Sequence, residues 1–350
     1  MHDDLNDAGY PLDMILTQSH ACTPRGIDHA RIPLNQYAVH RAKGVNMTRQ
    51  VTIVSAADII DEEQNLGREG RIITNTFPLD TGVEGVDMDY AWISYSKGYG
   101  TPRHRHTFDQ FRYTLSGVRQ QDDLEMREGE CGYFGEGVSY GPQMQSEPCV
   151  GLILQFQGPS GIPYLTHEAL DAARKRLSAE GSFAKGIYTK FLPDGTKVNV
   201  DSHAACFEAI TGTKIQYPKA RYDRPVIMKP QFYQWVADRN HAGLEHKHMG
   251  TFSEYRSSVR LTRLLPGARI PAQVREDAEV CYLVEGSIRY AGKTWQGGKT
   301  RAVGTYMYVP HGAEVEEMSS ETGGLFFTIS LPMLADIEAA RRGRRVAQAA

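Results

Sequence analysis

Residues 98–117 read GYGTPRHRHTFDQFRYTLSG, and their spacing decides how the rest of the chain is read. Gly98 is followed after five residues by His104, then by His106, after three more by Gln110, and after a further six by Gly117. Two histidines one residue apart on a strand project to the same side, because side chains alternate with period 2. They can therefore share one metal ion. A tight turn over Thr107 to Asp109 would send the chain back antiparallel, with Gln110 beside the histidines and Arg112 and Thr114 on the same inward face.

This spacing resembles the first motif of the cupin superfamily, G(X)5HXH(X)3-4E(X)6G, with Gln110 in the place of the glutamate. The second motif of that family, G(X)5PXG(X)2H, is matched by Gly129, by Gly135 in the proline position, by Gly137, and by Tyr140 where the last histidine would stand. Two of the four ligands of the family pattern are kept and two are replaced.

The pattern recurs. Gly267, Gln273, Arg275, Glu279 and Gly286 each stand 169 residues after Gly98, His104, His106, Gln110 and Gly117, and Gly304, Pro310, Gly312 and Val315 each stand 175 residues after Gly129, Gly135, Gly137 and Tyr140. An internal repeat of this kind implies an all-β bicupin: two double-stranded β-helix (jelly-roll) barrels with a partly helical connector. In the second copy Arg275 puts a permanent cation at a ligand position and Val315 offers no lone pair, so no metal is expected there. Glu279 is expected to pair with Arg275 across the strands, a structural use.

Around these motifs the chain divides into an irregular arm at 1–46, an N-terminal metal-binding barrel at 47–157, a connector at 158–226, a C-terminal barrel at 227–335, and a C-terminal segment at 336–350 in a helical stretch that opens near Leu334. Short β-branched or aromatic runs bounded by Gly, Pro and Asp predict strands over 88–96, 111–116, 132–134 and 150–157. In the connector, Thr166 is a helix cap, Leu170, Ala173 and Leu177 form one stripe, and Gly181 reads as the stop; a second helix is expected over 202–210. His2, His20, His29 and His40 are too scattered for a ligand set. His246 and His248 form a second HxH without partners at cupin spacing, and they read as structural or pocket-rim groups. Tyr217, Arg221, Tyr222 and Arg224 read as packing or as an oligomer contact.

Composition narrows the class. A formal net charge of −3, with 23% charged residues among 350, leaves no basic face for nucleic acid. Five cysteines, at 22, 131, 149, 206 and 281, form no CxxC and read as reduced thiols of a cytoplasmic protein. No apolar run approaches the length of a membrane span, and no secretory signal opens the chain. A soluble homo-oligomer is expected, since barrels of this kind present sheet edges.

The string His104-Arg105-His106-Thr107, followed by Phe111-Arg112-Tyr113 and Gly117, is similar to the HRHT…LRF…G string of the gentisate and salicylate 1,2-dioxygenases, bicupins whose N-terminal half carries Fe(II). The resemblance implies ring cleavage of a small aromatic acid with O2, and Fe(II), with Mn(II) as the other option, on His104 and His106. Tyr140 replaces the third histidine of that family. Gln110 can complete the set through its carbonyl oxygen or can line the pocket. Tyr140, a phenol of ordinary pKa about 10, is expected as a hydrogen-bonding or acid group. A neutral ligand set leaves the metal its full double charge, which suits a dianionic chelate such as a carboxylate beside a phenolate. Arg112 would clamp the carboxylate in a fork geometry, or would instead pair with Asp109 or Asp122 at the rim. The other classes open to the same site are a β-diketone-cleaving dioxygenase, a small-acid isomerase, and a ligand-binding bicupin without catalysis.

Overall fold

A computed structural model describes residues 49–59, 62–63, 70–83 and 85–349. The segment expected as an irregular arm, with its four histidines and Cys22, lies outside the described residues. The architecture is mostly β and duplicated, with two barrels of antiparallel sheet as the internal repeat predicts. In the N-terminal barrel the larger sheet runs, neighbour to neighbour, Val226–Met228, Cys131–Phe134, Phe108–Ser116, Cys149–Gln157, Met88–Tyr95, Ile72–Thr76 and Glu62–Glu63. A smaller sheet of Gly100–Thr101, Gln143–Met144, Val118–Gln121 and Leu124–Arg127 closes the other side. In the C-terminal barrel the corresponding run is Thr52–Ser55, Thr305–Val309, Ala278–Tyr290, Gly324–Leu331, Ser257–Leu264, Leu244–Phe252 and Val236–Ala237.

Each barrel is completed by a strand from the other side of the chain. Thr52–Ser55, in the stretch expected to open the N-terminal barrel, pairs with Thr305–Val309, while Val226–Met228 pairs with Cys131–Phe134. Residue by residue, the sheet registers reproduce the repeat. His104 pairs with Tyr140 and Gln273 with Val315. Gln110 lies opposite Phe134 and Gln155, and Glu279 opposite Val309 and Ser330. The carbonyls of His106 and Arg275 accept from the amides of Gly137 and Gly312. The motif glycines Gly117 and Gly286 both have φ of 76°, a conformation in which a side chain is strained, and a Cβ on Gly117 would meet the Pro148 carbonyl oxygen at 2.7 Å.

The largest apolar core lies between the barrels. Phe108–Ser116 is buried on both faces, with Phe111, Tyr113 and Leu115 on one and Gln110, Arg112 and Thr114 on the other. Tyr113 stacks on Phe327 at 4.2 Å between centroids, Tyr133 on Phe252 at 4.4 Å, and Phe77 on Tyr306 at 4.6 Å. Aromatic area removed from water thus holds the barrels together. The barrel interior is left free to be polar.

The connector differs from the sequence expectation in one element. The helices span His167–Leu177, where Thr166 accepts from the Ala169 amide, and Ser202–Thr211, which Gly212 ends in the left-handed conformation. Between them stands a three-stranded antiparallel sheet, Gly181–Ala184, Ile187–Phe191 and Lys197–Asp201, which the sequence reading did not contain. Gly181 opens that sheet instead of stopping the helix. A Cβ there would run into the carbonyl oxygen of Thr189, so the glycine serves close strand approach. Arg221 ties the connector to the N-terminal barrel through ion pairs to the buried Asp109 at 3.2 Å and Glu136 at 2.7 Å. No described helix is long and apolar enough to cross a membrane. The chain ends in the helix Met333–Ala349.

Tyr113→Ala should cost about 3–5 kcal/mol in urea unfolding, the range for removing a large buried ring. A loss below about 1 kcal/mol would mean that the inter-barrel core does not carry the fold.

Candidate functional site

The two histidines are set by the backbone. His104 exchanges both of its backbone hydrogen bonds with Tyr140, at 3.0 Å each, and the two rings stand 4.5 Å apart. The His106 ring is 5.0 Å from that of His104 and 5.8 Å from that of Tyr140. His104 Nδ1 lies 2.8 Å from the Pro102 carbonyl oxygen, which can only accept, so Nδ1 carries the proton and Nε2 keeps its lone pair.

Gln110 and Arg112 share the inward face of Phe108–Ser116, as alternation requires. Arg112 Nε donates to Gln110 Oε1 at 2.8 Å and one Nη donates to the Tyr140 hydroxyl at 2.7 Å. The guanidinium also lies over the Phe134 ring at 4.3 Å. Arg112 pairs with neither Asp109 nor Asp122. Asp109 is held by Tyr133, by the Glu136 amide and by Arg221, and Asp122 faces Arg103 at 3.9 Å. Burial pushes the Asp109 carboxyl up to about 6. All five residues expected at the site, His104, His106, Gln110, Arg112 and Tyr140, are linked through Tyr140 and Arg112.

The smaller sheet contributes a second set that the sequence reading missed. Arg119 and Gln121 alternate inward on Val118–Gln121, and Gln121 lies opposite Gln143. Arg119 is 2% exposed, its guanidinium 4.5 Å from the centre of the Tyr95 ring on the larger sheet. Both Arg119 Nη atoms, Arg112 Nη1, and the amide nitrogens of Gln110, Gln121 and Gln143 are buried with no hydrogen-bond partner among the described residues. Burial lowers the Arg112 pKa, and the like charge of Arg119 adds to this. The only sequence signal was the alternation in Val118-Arg119-Gln120-Gln121; that it faces Arg112 follows from barrel closure, a nonlocal event. From the connector, His203 brings its ring to 6.3 Å from His106.

Two imidazoles and an amide oxygen are donors that could hold a divalent metal. Two imidazoles converge, one with its tautomer fixed for Nε2 ligation. Gln110 Oε1 already accepts from Arg112, yet an amide oxygen has a second lone pair. Among the described residues no three His, Cys, Asp or Glu come together, so a third protein donor would be an amide or phenol oxygen.

At the equivalent place in the C-terminal barrel, Glu279 is ion-paired to Arg260 on the neighbouring wall and not hydrogen-bonded to Arg275, contrary to the expected cross-strand pair. Arg260 and Glu279 both point inward from strands that flank Gly324–Leu331, and that geometry brings them together.

No protein-family model and no curated protein sequence matches the chain. Among solved structures it is similar to a candidate dioxygenase from Nostoc punctiforme PCC 73102, with 11% identity, 81% of this chain and 83% of that one covered, and a TM-score of 0.53. It is also similar to a candidate glyoxylate-induced protein from Pseudomonas aeruginosa, with 11% identity, 84% and 93% coverage, and a TM-score of 0.51. At such identities the likeness is one of fold.

Metal analysis of protein purified without oxygen should give one equivalent per chain, lost in His104→Ala and near normal in Gln273→Ala. Gln110→Ala should lower occupancy or activity by about tenfold or more. Two equivalents in the parent would contradict the assignment of the metal to one barrel, and full occupancy and activity in Gln110→Ala would make Gln110 a lining residue.

Proposed function

We propose that the N-terminal barrel is the active site of an Fe(II)-dependent dioxygenase that opens the ring of a salicylate or gentisate, with or without further substituents, between the carboxylate- and hydroxyl-bearing carbons. The observation that carries this reading is the excess of buried donors. Two guanidiniums and three amides leave six nitrogens without a partner among the described residues, and neither guanidinium is ion-paired to a carboxylate. Leaving a buried cation uncompensated costs several kcal/mol, of order 3–5, so an anionic guest is what this interior lacks. An aromatic acid supplies it.

Within this reading each side chain has a task. His104 and His106 hold Fe(II), or Mn(II), with Gln110 as third donor. When bound, the metal supplies Lewis acidity toward a phenolate and a place for O2. Arg112 keeps one Nη for the substrate carboxylate while its other donors fix Gln110 and Tyr140. Tyr140, whose hydroxyl accepts from Arg112, serves as a hydrogen-bonding or acid group near the reacting oxygens. Arg119 adds positive potential from the facing wall, which favours the ionised form of the acid and concentrates it in the barrel. Tyr95, over which Arg119 lies, and Tyr99, tilted against it with ring centres 4.8 Å apart, offer ring surface beside these cations. The ring-opened product would carry both atoms of O2, and no further protein cofactor is called for. The partners on this reading are a small aromatic acid and O2, in a cytoplasmic homo-oligomer.

Fe(II)-loaded protein should consume O2 in an electrode with at least one of gentisate, salicylate, and nitro- or halo-substituted salicylates. Arg112→Met should raise KM for the carboxylated substrate by roughly 10²-fold, as for a lost charge-assisted hydrogen bond of about 1.5–3 kcal/mol. No O2 uptake with any of these acids would overturn the proposal in favour of diketone cleavage or isomerisation.

A further inference from the structure

The C-terminal barrel holds a half-open cavity of about 290 Å³, at the lower end of the size of small-molecule sites. Buried apolar side chains, among them Ile270, Met307, Met318 and Phe326, line much of it. Most of its polar lining is satisfied from within. Asp238 accepts from His241 Nδ1 at 3.0 Å and from His246 Nε2 at 3.1 Å, and His246 Nδ1 meets the Thr262 hydroxyl at 3.1 Å. Burial pulls the His246 and His248 pKa values below the ordinary range, which leaves both imidazoles neutral near pH 7.

The donors of the inner wall are not all matched. Two guanidiniums, Arg260 and Arg275, and two carboxylates, Asp238 and Glu279, line the cavity; Asp238 is taken up by His241 and His246 and Glu279 is hydrogen-bonded to Arg260, so no carboxylate is hydrogen-bonded to Arg275 among the described residues. Arg275 Nε and Gln273 Nε2 are buried and have no hydrogen-bond partner among the described residues. The two side chains are one residue apart, at the positions that His104 and His106 occupy in the other barrel, and both line the cavity. Period 2 puts them on one face, where two donors can reach the two oxygens of a single carboxylate. We infer that this cavity is a second ligand site, separate from the proposed active site, for a small monocarboxylic acid with an apolar body. The carboxylate sits on Gln273 and Arg275, accepts from the donors left over there, and the hydrocarbon part fills the space beside Met307 and Phe326. No metal is needed for it.

Calorimetric titration of metal-free full-length protein with benzoate and with 3-methylbutanoate tests this. Two variants act on the site in different ways: Arg275→Gln removes the charge, and Val315→Phe fills the cavity while leaving every charge in place. At least one acid should bind the parent. Its affinity should fall by about tenfold or more in both variants and persist in Arg112→Met, as expected when one charge-assisted hydrogen bond or the space for the ring is lost. Unchanged melting temperatures in the variants separate lost binding from lost folding, and if Arg275→Gln does not fold, Val315→Phe alone decides. The inference is overturned if neither acid binds at millimolar concentration, or if binding is abolished only by Arg112→Met and both C-terminal variants bind as the parent does.

Discussion

The strand Phe108–Ser116 has no face exposed to solvent, and the rest of the molecule depends on that. One face, Phe111, Tyr113 and Leu115, belongs to the core between the barrels; the other, Gln110, Arg112 and Thr114, belongs to the interior of one of them. Because the largest hydrophobic cluster lies between the barrels, the N-terminal interior, with smaller clusters such as Ile93, Tyr95, Tyr99 and Ile153, supplies only part of the hydrophobic stabilisation. It can hold polar groups that would weaken a domain whose only core lay inside. This separates the requirement for folding from the requirement for chemistry on a single strand with period 2.

The two barrels have the same backbone scheme and different interiors. His104 faces Tyr140 across an antiparallel pair and Gln273 faces Val315 across the same pair in the second copy. In the first interior, imidazoles, amides and two guanidiniums gather with no paired carboxylate. In the second, a carboxylate offsets one of two guanidiniums and apolar side chains take much of the remaining volume. Both interiors keep buried donors without a partner among the described residues. The first has imidazoles where a metal could sit and, at the repeat-equivalent positions 273 and 275, the second has Gln273 and Arg275, so substitution at a few inward positions gives two different interiors on one frame.

What could be read from the sequence was what local geometry governs. The HxH spacing, the alternation that turns Gln110 and Arg112 inward, and glycines such as Gly117 at positive φ are properties of a few neighbouring residues, and the register pairs reproduce the repeat they implied. What could not be read depends on closure. Arg119 comes near Arg112 only because a second sheet folds over the first. Thr52–Ser55 completes the distant barrel, Glu279 finds Arg260 in place of Arg275, and Gly181 serves a hairpin that lies beyond it in the chain. Each of these is a contact between residues far apart in sequence. Alternation alone does not select the partner.

On the proposed function, the N-terminal interior holds uncompensated positive charge in order to take an organic anion. Thermal unfolding of the parent and of Arg119→Leu, each with and without salicylate, tests it most directly. Removing an unpaired buried cation should relieve its desolvation, so the variant should melt higher than the parent when ligand is absent. Salicylate should raise the parent's melting temperature through linkage and raise the variant's little or not at all. A variant that melts lower than the parent and gains as much from salicylate would contradict the account.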